Sequence, residues 1–431
     1  MCLITDWILI ITSSFLVLSS YRRIVKNKNA SIAHFIVLVE YVFLCFPVLL
    51  NYCVGIPKYQ YISWYKSFLP SMESEVIAHI YDMYILISIV LLYCYAVNYD
   101  RKKSKYKTYN ETRSDGLFNN NYFLTLVVFS PILYILMSGK ITSYLIYASA
   151  GGRGIEDTRF TTNLSMLVLF SLYAFCYRFF LKPITKWRFC ILVLYSLIIS
   201  WINGKRFIIA LMLVVYLFFY TRSDLDKTTR KKLEIYTPVL FIALVLFSYY
   251  YLVAIKPLSN SSFESIYDML RVDFGRDDVT KFVIEQELFK KSPILEYRGQ
   301  TFLSTFLTFV PRAIWPNKPY PHYMYLTARI LGTSIDRLPA GTTPSWFEMC
   351  IANCSWIGFI IGSVAIPILC KWCDKIKSIQ YQMLMLVFVI VLITQSTDAY
   401  VGFLILIVAQ FLITKFLKKR KFVVRLHNKE R

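Results

Sequence analysis

Residues 32–54 read IAHFIVLVEYVFLCFPVLLNYCV, and this stretch decides the fold. It is longer than the roughly 20 apolar residues that carry an α-helix across the ~30 Å hydrocarbon core of a bilayer. Its one formal charge is Glu40. Working outward, the same pattern recurs at 4–20, 77–97, 122–138, 163–181, 188–203, 207–220, 236–255, 351–370, 382–395 and 399–416, which makes eleven candidate spans. The sixth, seventh and tenth are short, so they are tilted or form half-spans along a cavity. The chain is 57% hydrophobic and 17% charged, a balance that leaves a soluble domain of 431 residues too little polar surface. The expected fold is therefore an all-α polytopic transmembrane bundle. Residues 1–255 form an N-terminal bundle of about eight spans. Residues 256–350 form one large loop, 351–417 the C-terminal spans, and 418–431 a basic tail.

Loop charges orient the bundle. The segments after spans one, three, five, seven and nine, with the tail, hold 30 of the 48 Lys and Arg. The opposite side holds 18, of which 11 lie in the long loop, where charge has little topological weight. The tail and the cation-rich loops are then cytoplasmic, and the N-terminus and the 256–350 loop external. The net charge of +22 follows from this bias, and no basic soluble domain exists to bind nucleic acid. The segment Ile4 to Ser20 lacks a basic leader and a small-residue cleavage site and reads as a retained span. Ten Cys lie mostly in apolar runs, and Cys370-Lys-Trp-Cys373 has no second pair to complete a zinc site. No divalent metal and no cofactor is expected. The four His sit in no acyltransferase-like motif.

Three stretches carry candidate chemistry. Gly151-Gly-Arg-Gly-Ile-Glu-Asp-Thr-Arg-Phe160 combines a backbone open to close approach with Arg153 and Arg159, whose planar forks match phosphate; the alternative is a solvated hairpin. Asn203-Gly-Lys-Arg206 puts Lys205 and Arg206 on the external side against the positive-inside tendency; a bound anion accounts for that, and snorkelling to headgroups is the alternative. Phe309-Val-Pro-Arg-Ala-Ile-Trp-Pro-Asn-Lys-Pro319, followed by Gly341-Thr-Thr-Pro-Ser-Trp-Phe-Glu348, offers Arg312, Lys318 and Trp315, or else a Pro-rich interfacial loop with Trp as an anchor. Between these last two, apolar spacing over 264–290 suits one or two amphipathic helices, and 302–310 suits an interfacial segment.

The run Pro311–Pro319 with Gly341-Thr-Thr-Pro344, Glu348 and Asn353-x-x-x-x-Gly358, together with Gly204-Lys-Arg206, resembles the oligosaccharide repeat-unit polymerases, the Wzy-type enzymes of O-antigen and capsular polysaccharide. The likeness of hydropathy plan covers almost the whole chain. The resemblance implies about twelve spans with both termini inside, against the eleven counted here. It implies a glycosyltransferase in the inner (plasma) membrane of a bacterium, working beside a flippase and a chain-length regulator. Its substrate would be an undecaprenyl-pyrophosphate-linked oligosaccharide held in the lipid bilayer. Lys205, Arg206 and Arg312 would line the pyrophosphate site, with Arg153, Arg159, Arg276 and Lys318 as further cations and Trp315 against a sugar face. Fixed cations of this kind stabilise a departing pyrophosphate. Glu348 is the expected base for the acceptor hydroxyl, with Asp157, Asp277, Asp278 and His322 as the other candidates. A flippase for lipid-linked sugars and an O-antigen ligase are the alternative readings. Few charges inside the spans and one large external loop favour an enzyme over a flippase.

Overall fold

The computed structural model describes residues 4–27, 29–60, 63–105, 121–146, 153–155, 157–179, 186–204, 206–222, 262–307, 310–338 and 341–395, with scattered positions between 234 and 250 and between 403 and 408. Among the described residues every regular element is helical. In chain order these are α1 (Ile4–Lys26), α2 (Ile32–Cys53), α3 (Glu75–Lys105), α4 (Asn121–Met137), α5 (Thr158–Phe179), α6 (Lys186–Asn203) and α7 (Arg206–Arg222). Then come α8 (Phe263–Phe274), α9 (Asp277–Ile284), α10 (Gln300–Phe306), α11 (His322–Leu331), α12 (Trp346–Cys354), α13 (Ile357–Asp374) and α14 (Ile379–Thr394). Helices α1, α2, α3 and α13 are long and apolar enough to cross a membrane, and α4 to α7 and α14 are shorter apolar helices. Nine of the expected spans fall on these helices. The expected spans at 236–255 and 399–416 lie outside the described residues apart from isolated positions.

The chain divides into two compact units, residues 1–109 with 260–376 and 385–404, and residues 110–259 with 377–384 and 405–431. In the first, α1, α2, α3 and α13 pack together, and α1 shows the logic of the bundle. Its polar residues Asp6, Ser13 and Ser20, at seven-residue spacing, face inward, while Ile11, Phe15 and Leu18 are exposed. A water-soluble helix does the reverse; apolar exposure with polar burial is what lipid around the bundle requires. One end of the bundle is tied by Asp374 of α13. Its carboxylate accepts from Ile32 N (2.9 Å), Ser31 Oγ (2.5 Å) and the Tyr95 hydroxyl (2.9 Å), so it caps α2 and reaches α3 at once. Asp100 of α3 accepts from Ser31 N (3.1 Å) and lies 3.2 Å from His34 Nε2.

Two local features depart from a simple span reading. Helix α2 passes through a π-helical turn at Tyr41–Cys45, just before Pro47. The expected span 351–370 is in fact the last part of α12 and most of α13, separated where Ser355 takes a positive φ of 52°. Gly358 permits that bend, since a Cβ there would lie 2.3 Å from the Cys350 carbonyl oxygen.

The 256–350 loop is largely helical over its described part. It forms two helices over 264–290, as its apolar spacing suggests, but α9 is not amphipathic in use. All eight of its residues are buried, against α3, α12, the short helix Leu69–Glu73 and the π turn of α2. In the second unit α4 and α5 pair closely, and α5, α6 and α7 pack in succession. Ser171 of α5 donates to the Val128 carbonyl (2.7 Å) and meets the Tyr195 hydroxyl (3.0 Å), while Phe175 stacks on Tyr195.

Candidate functional site

The break in α2 builds the polar centre of the first unit. Pro47 has no N–H for the Phe43 carbonyl four residues back, and that carbonyl accepts the backbone N–H of Arg276 (3.1 Å). The Leu44 carbonyl takes the Tyr81 hydroxyl (2.7 Å) and the Pro47 carbonyl takes Arg271 Nη1 (2.8 Å). The α8–α9 hairpin is thus joined to a span through the Phe43 and Pro47 carbonyls, the first of which proline leaves without its helical donor. Gly275 sits in the bend between α8 and α9, where a Cβ would come 2.7 Å from the Arg271 carbonyl oxygen.

Arg271 is fully buried. It holds Asp277 through both carboxylate oxygens (2.9 and 2.7 Å from Nη2) and donates to Asn51 Oδ1 (2.6 Å). Arg276 donates from Nε and Nη2 to the Thr394 carbonyl (3.3 and 3.1 Å) and lies over the Phe43 ring. Asp278 accepts the Tyr59 hydroxyl (2.7 Å). Burial and the neighbouring Asp277 charge push Asp278 up to about 6, against the Tyr59 bond and Arg271. Of the expected residues, Arg276, Asp277 and Asp278 therefore stand together at the start of α9, with Arg271 as a partner that sequence reasoning passed over. Its signal was present as an Arg six residues before an Asp across a glycine bend.

Glu348 belongs to the same interior. It is fully buried on the first turn of α12, where it forms a capping box: its carboxylate accepts from the N–H and the hydroxyl of Ser345. Burial pushes it up to about 7, opposed by the Ser345 bonds and by the charge of Arg276. A carboxyl poised there is half-ionised near neutrality and suits proton transfer.

Arg312, Lys318 and Trp315 share a turn. The Arg312 guanidinium lies 4.2 Å from the centre of the Tyr320 ring and donates to the carbonyls of Lys318 (2.6 Å) and Pro319 (3.4 Å). Lys318 Nζ donates to the Val310 carbonyl (3.0 Å). Partial burial and the Arg312 charge lower the Lys318 pKa, so two cations are held near one another. Trp315 is half-buried on the same turn. His322 opens α11 fully buried. Its Nδ1 is 3.3 Å from Thr301 Oγ1, its Nε2 has no partner, and burial pushes it down to about 3. Asn353 pins this region: its Oδ1 accepts from the N–H groups of Thr301 (3.1 Å) and Phe302 (3.3 Å), capping α10.

In the second unit, Arg153 stacks on Tyr144 and donates to the carbonyls of Ile202 (2.9 Å), Trp201 and Ile146 (3.2 Å), so it closes the C-terminal end of α6. Asp157 caps α5 through Phe160 N (3.0 Å) and faces Lys140 at 3.6 Å. Gly204, with φ 63°, ends α6 in the left-handed conformation that lets α7 begin two residues on. Lys205 and the side chains of Arg159 and Arg206 lie outside the described residues.

What this arrangement supplies is a buried carboxyl near a guanidinium and, on a Pro-rich turn, a pair of cations. The family model described as O-antigen polysaccharide polymerase Wzy matches residues 4–312. No curated protein and no solved structure matches the chain.

Proposed function

The chain belongs to the family of O-antigen polysaccharide polymerases, Wzy, and on that premise we propose that it joins undecaprenyl-pyrophosphate-linked repeat units at the outer face of the plasma membrane. The growing chain leaves its lipid pyrophosphate and is transferred to a sugar hydroxyl of the next lipid-linked unit. The C–O bond to pyrophosphate breaks, the new glycosidic bond forms, and the hydroxyl proton passes to a base. The observation that carries this reading is the family match over 4–312, which takes in the α8–α9 hairpin and ends at Arg312.

Glu348 is the proposed base, supported by its burial and its position near Arg276. Arg312 is the proposed electrostatic catalyst, with Lys318 beside it and Trp315 on a sugar face. Lys205, Arg206, Arg159, Arg153 and Arg276 remain proposed pyrophosphate ligands. For Arg153 and Arg276 this requires a guanidinium to serve the ligand while also holding backbone carbonyls. A flippase that delivers substrate and a chain-length regulator are the proposed partners.

The test is polymerisation by the purified protein in nanodiscs with synthetic lipid-linked repeat units, read as a ladder on a gel. We expect a ladder for the wild type and a loss of about two to three orders of magnitude in rate for Arg312→Ala, the range for removing one oxyanion-stabilising donor. A folded wild type that gives no ladder but moves the lipid-linked sugar across liposomes would replace this reading with the flippase. A near-normal ladder from Arg312→Ala would remove Arg312 from the site.

A further inference from the structure

One helix of the long loop is built inside out. Helix α10 buries Gln300, Thr301 and Ser304, all polar, and leaves Leu303 and Phe306 exposed, Phe306 by 77%. Each of the three polar side chains has a partner. Gln300 Nε2 donates to Glu296 (3.0 Å) and to the Tyr325 hydroxyl (2.9 Å), Thr301 Oγ1 accepts from Asn353 Nδ2 (2.6 Å), and Ser304 Oγ donates to the Pro319 carbonyl (3.1 Å). A helix facing water places its residues the other way round. Helix α1, long and apolar enough to cross a membrane, shows the same inversion.

The turn that follows extends the apolar surface. Ser304 ties α10 to residues 311–319, which close on themselves through Ile314 N and Trp315 N at the Pro311 carbonyl (3.0 and 3.1 Å). Ile314 stands 76% exposed on this turn, with Arg312 also exposed and Lys318 and Trp315 half-buried. At its other end α10 is fixed beside the head of a span. Gly299 N donates to the Asn353 carbonyl (3.1 Å) near the end of α12, and Trp356, Ile357 and Ile360, where α13 begins, are exposed as residues facing lipid are. Exposed apolar residues beside cations and Trp, at the mouth of a span, make up a membrane–water boundary.

We propose that α10 and the 311–319 turn lie in one leaflet of the bilayer, with Leu303, Phe306 and Ile314 among the acyl chains and Arg312 and Lys318 at the level of the lipid phosphates. The occupant of this apolar face is the bilayer itself, continuous with the lipid around α13. Cationic side chains next to inserted apolar ones take that depth because their stems lie in hydrocarbon while their heads reach the headgroups. On the reading given above for Arg312, the insertion holds the pair of cations at the depth of a lipid-linked pyrophosphate.

The test uses the full-length wild type in nanodiscs of phosphatidylethanolamine and phosphatidylglycerol, part of which carries a diazirine on its acyl chain. After illumination the tryptic peptides are read by mass spectrometry. We expect lipid adducts in 299–312 and 313–329 at a yield comparable to that of α13. Little or none is expected in 330–337, whose exposed residues are Gly332, Ser334, Asp336 and Arg337. If 299–312 or 313–329 stays bare, the proposal is overturned, and no variant has to fold for that result. A spin label at Phe306→Cys, in an otherwise Cys-free chain, separates lipid from a second copy of the protein. More collisions with oxygen than with a water-soluble nickel complex support insertion. More collisions with nickel place the residue in water, and shielding from both, with spin–spin broadening, places it between copies; either overturns the proposal. Neither readout depends on polymerase activity, so a failed ladder and a failed insertion stay distinguishable.

Discussion

At Glu348 a glutamine keeps an oxygen for the Ser345 N–H but has no carboxylate to take a proton. If Glu348 is the base, Glu348→Gln should fold normally and lose roughly a hundred- to ten-thousand-fold in polymerisation rate. If it is a cap alone, Gln should be near wild type and Ala should lose about 1 kcal/mol of stability. The pH dependence follows from the same group. Its pKa rises from 4.5 to about 7 on folding, so the folded state favours the protonated form. Its contribution to stability is whole below about 4.5 and declines as pH rises through 7. Asp278 acts in the same direction between 3.8 and about 6. Thermal unfolding in detergent should therefore show a midpoint that falls from mildly acid to mildly alkaline pH, and less steeply in Glu348→Gln. The rate should rise over the same interval, because a base must be ionised; a flat rate profile through pH 7 would argue against Glu348 as the base. His322, pushed down to about 3, is neutral throughout and should add no inflection. Glu348 was legible as a candidate because an acid stands where the long loop returns to an apolar run. The anchoring of Arg276 was not, because its partners Phe43 and Thr394 are more than a hundred residues away on either side.

Among the elements, the α8–α9 hairpin depends on one buried ion pair. Arg271→Met should leave Asp277 buried without its partner and cost about 3–5 kcal/mol, with Arg271→Met/Asp277→Leu recovering part of that loss. Chemical or thermal unfolding of the two variants would measure it, and equal destabilisation by single and double variants would show that the pair contributes little. The bend between α12 and α13 makes a second case. Gly358→Ala places a methyl 2.3 Å from the Cys350 carbonyl oxygen, so the helices must move apart, at about 1–3 kcal/mol. Two helices over 264–290 could be read from apolar spacing. That α9 is buried on every side could not, because its Asp277, Asp278 and Lys281 look like a solvated face until Arg271, Tyr59 and Tyr81 are brought to them. The division of the run 351–370 was likewise hidden. Hydropathy does not register a positive φ at Ser355.

For the whole molecule, the charge bias predicts sides. A single Cys introduced at Ser292, in an otherwise Cys-free chain, should react with an impermeant maleimide from outside the cell. One placed at Asn428, in the tail, should react after permeabilisation alone. Labelling of both from one side would overturn the orientation. Apolar length by itself determined that this chain is a bundle of membrane helices, because a bilayer accepts few other solutions for runs of that length. The family was also within reach of the sequence, through short motifs around Arg312 and Glu348 and the plan of spans around one long loop. What the tertiary structure alone decided is which charges are free and which are spent. Arg153, Arg271 and Arg276 hold carbonyls or a carboxylate, and Asp157 and Glu348 cap helices. A sequence states that a charge exists. Its cost and its use depend on the partner at hydrogen-bonding distance, and in a low-dielectric interior folding decides which partner that is.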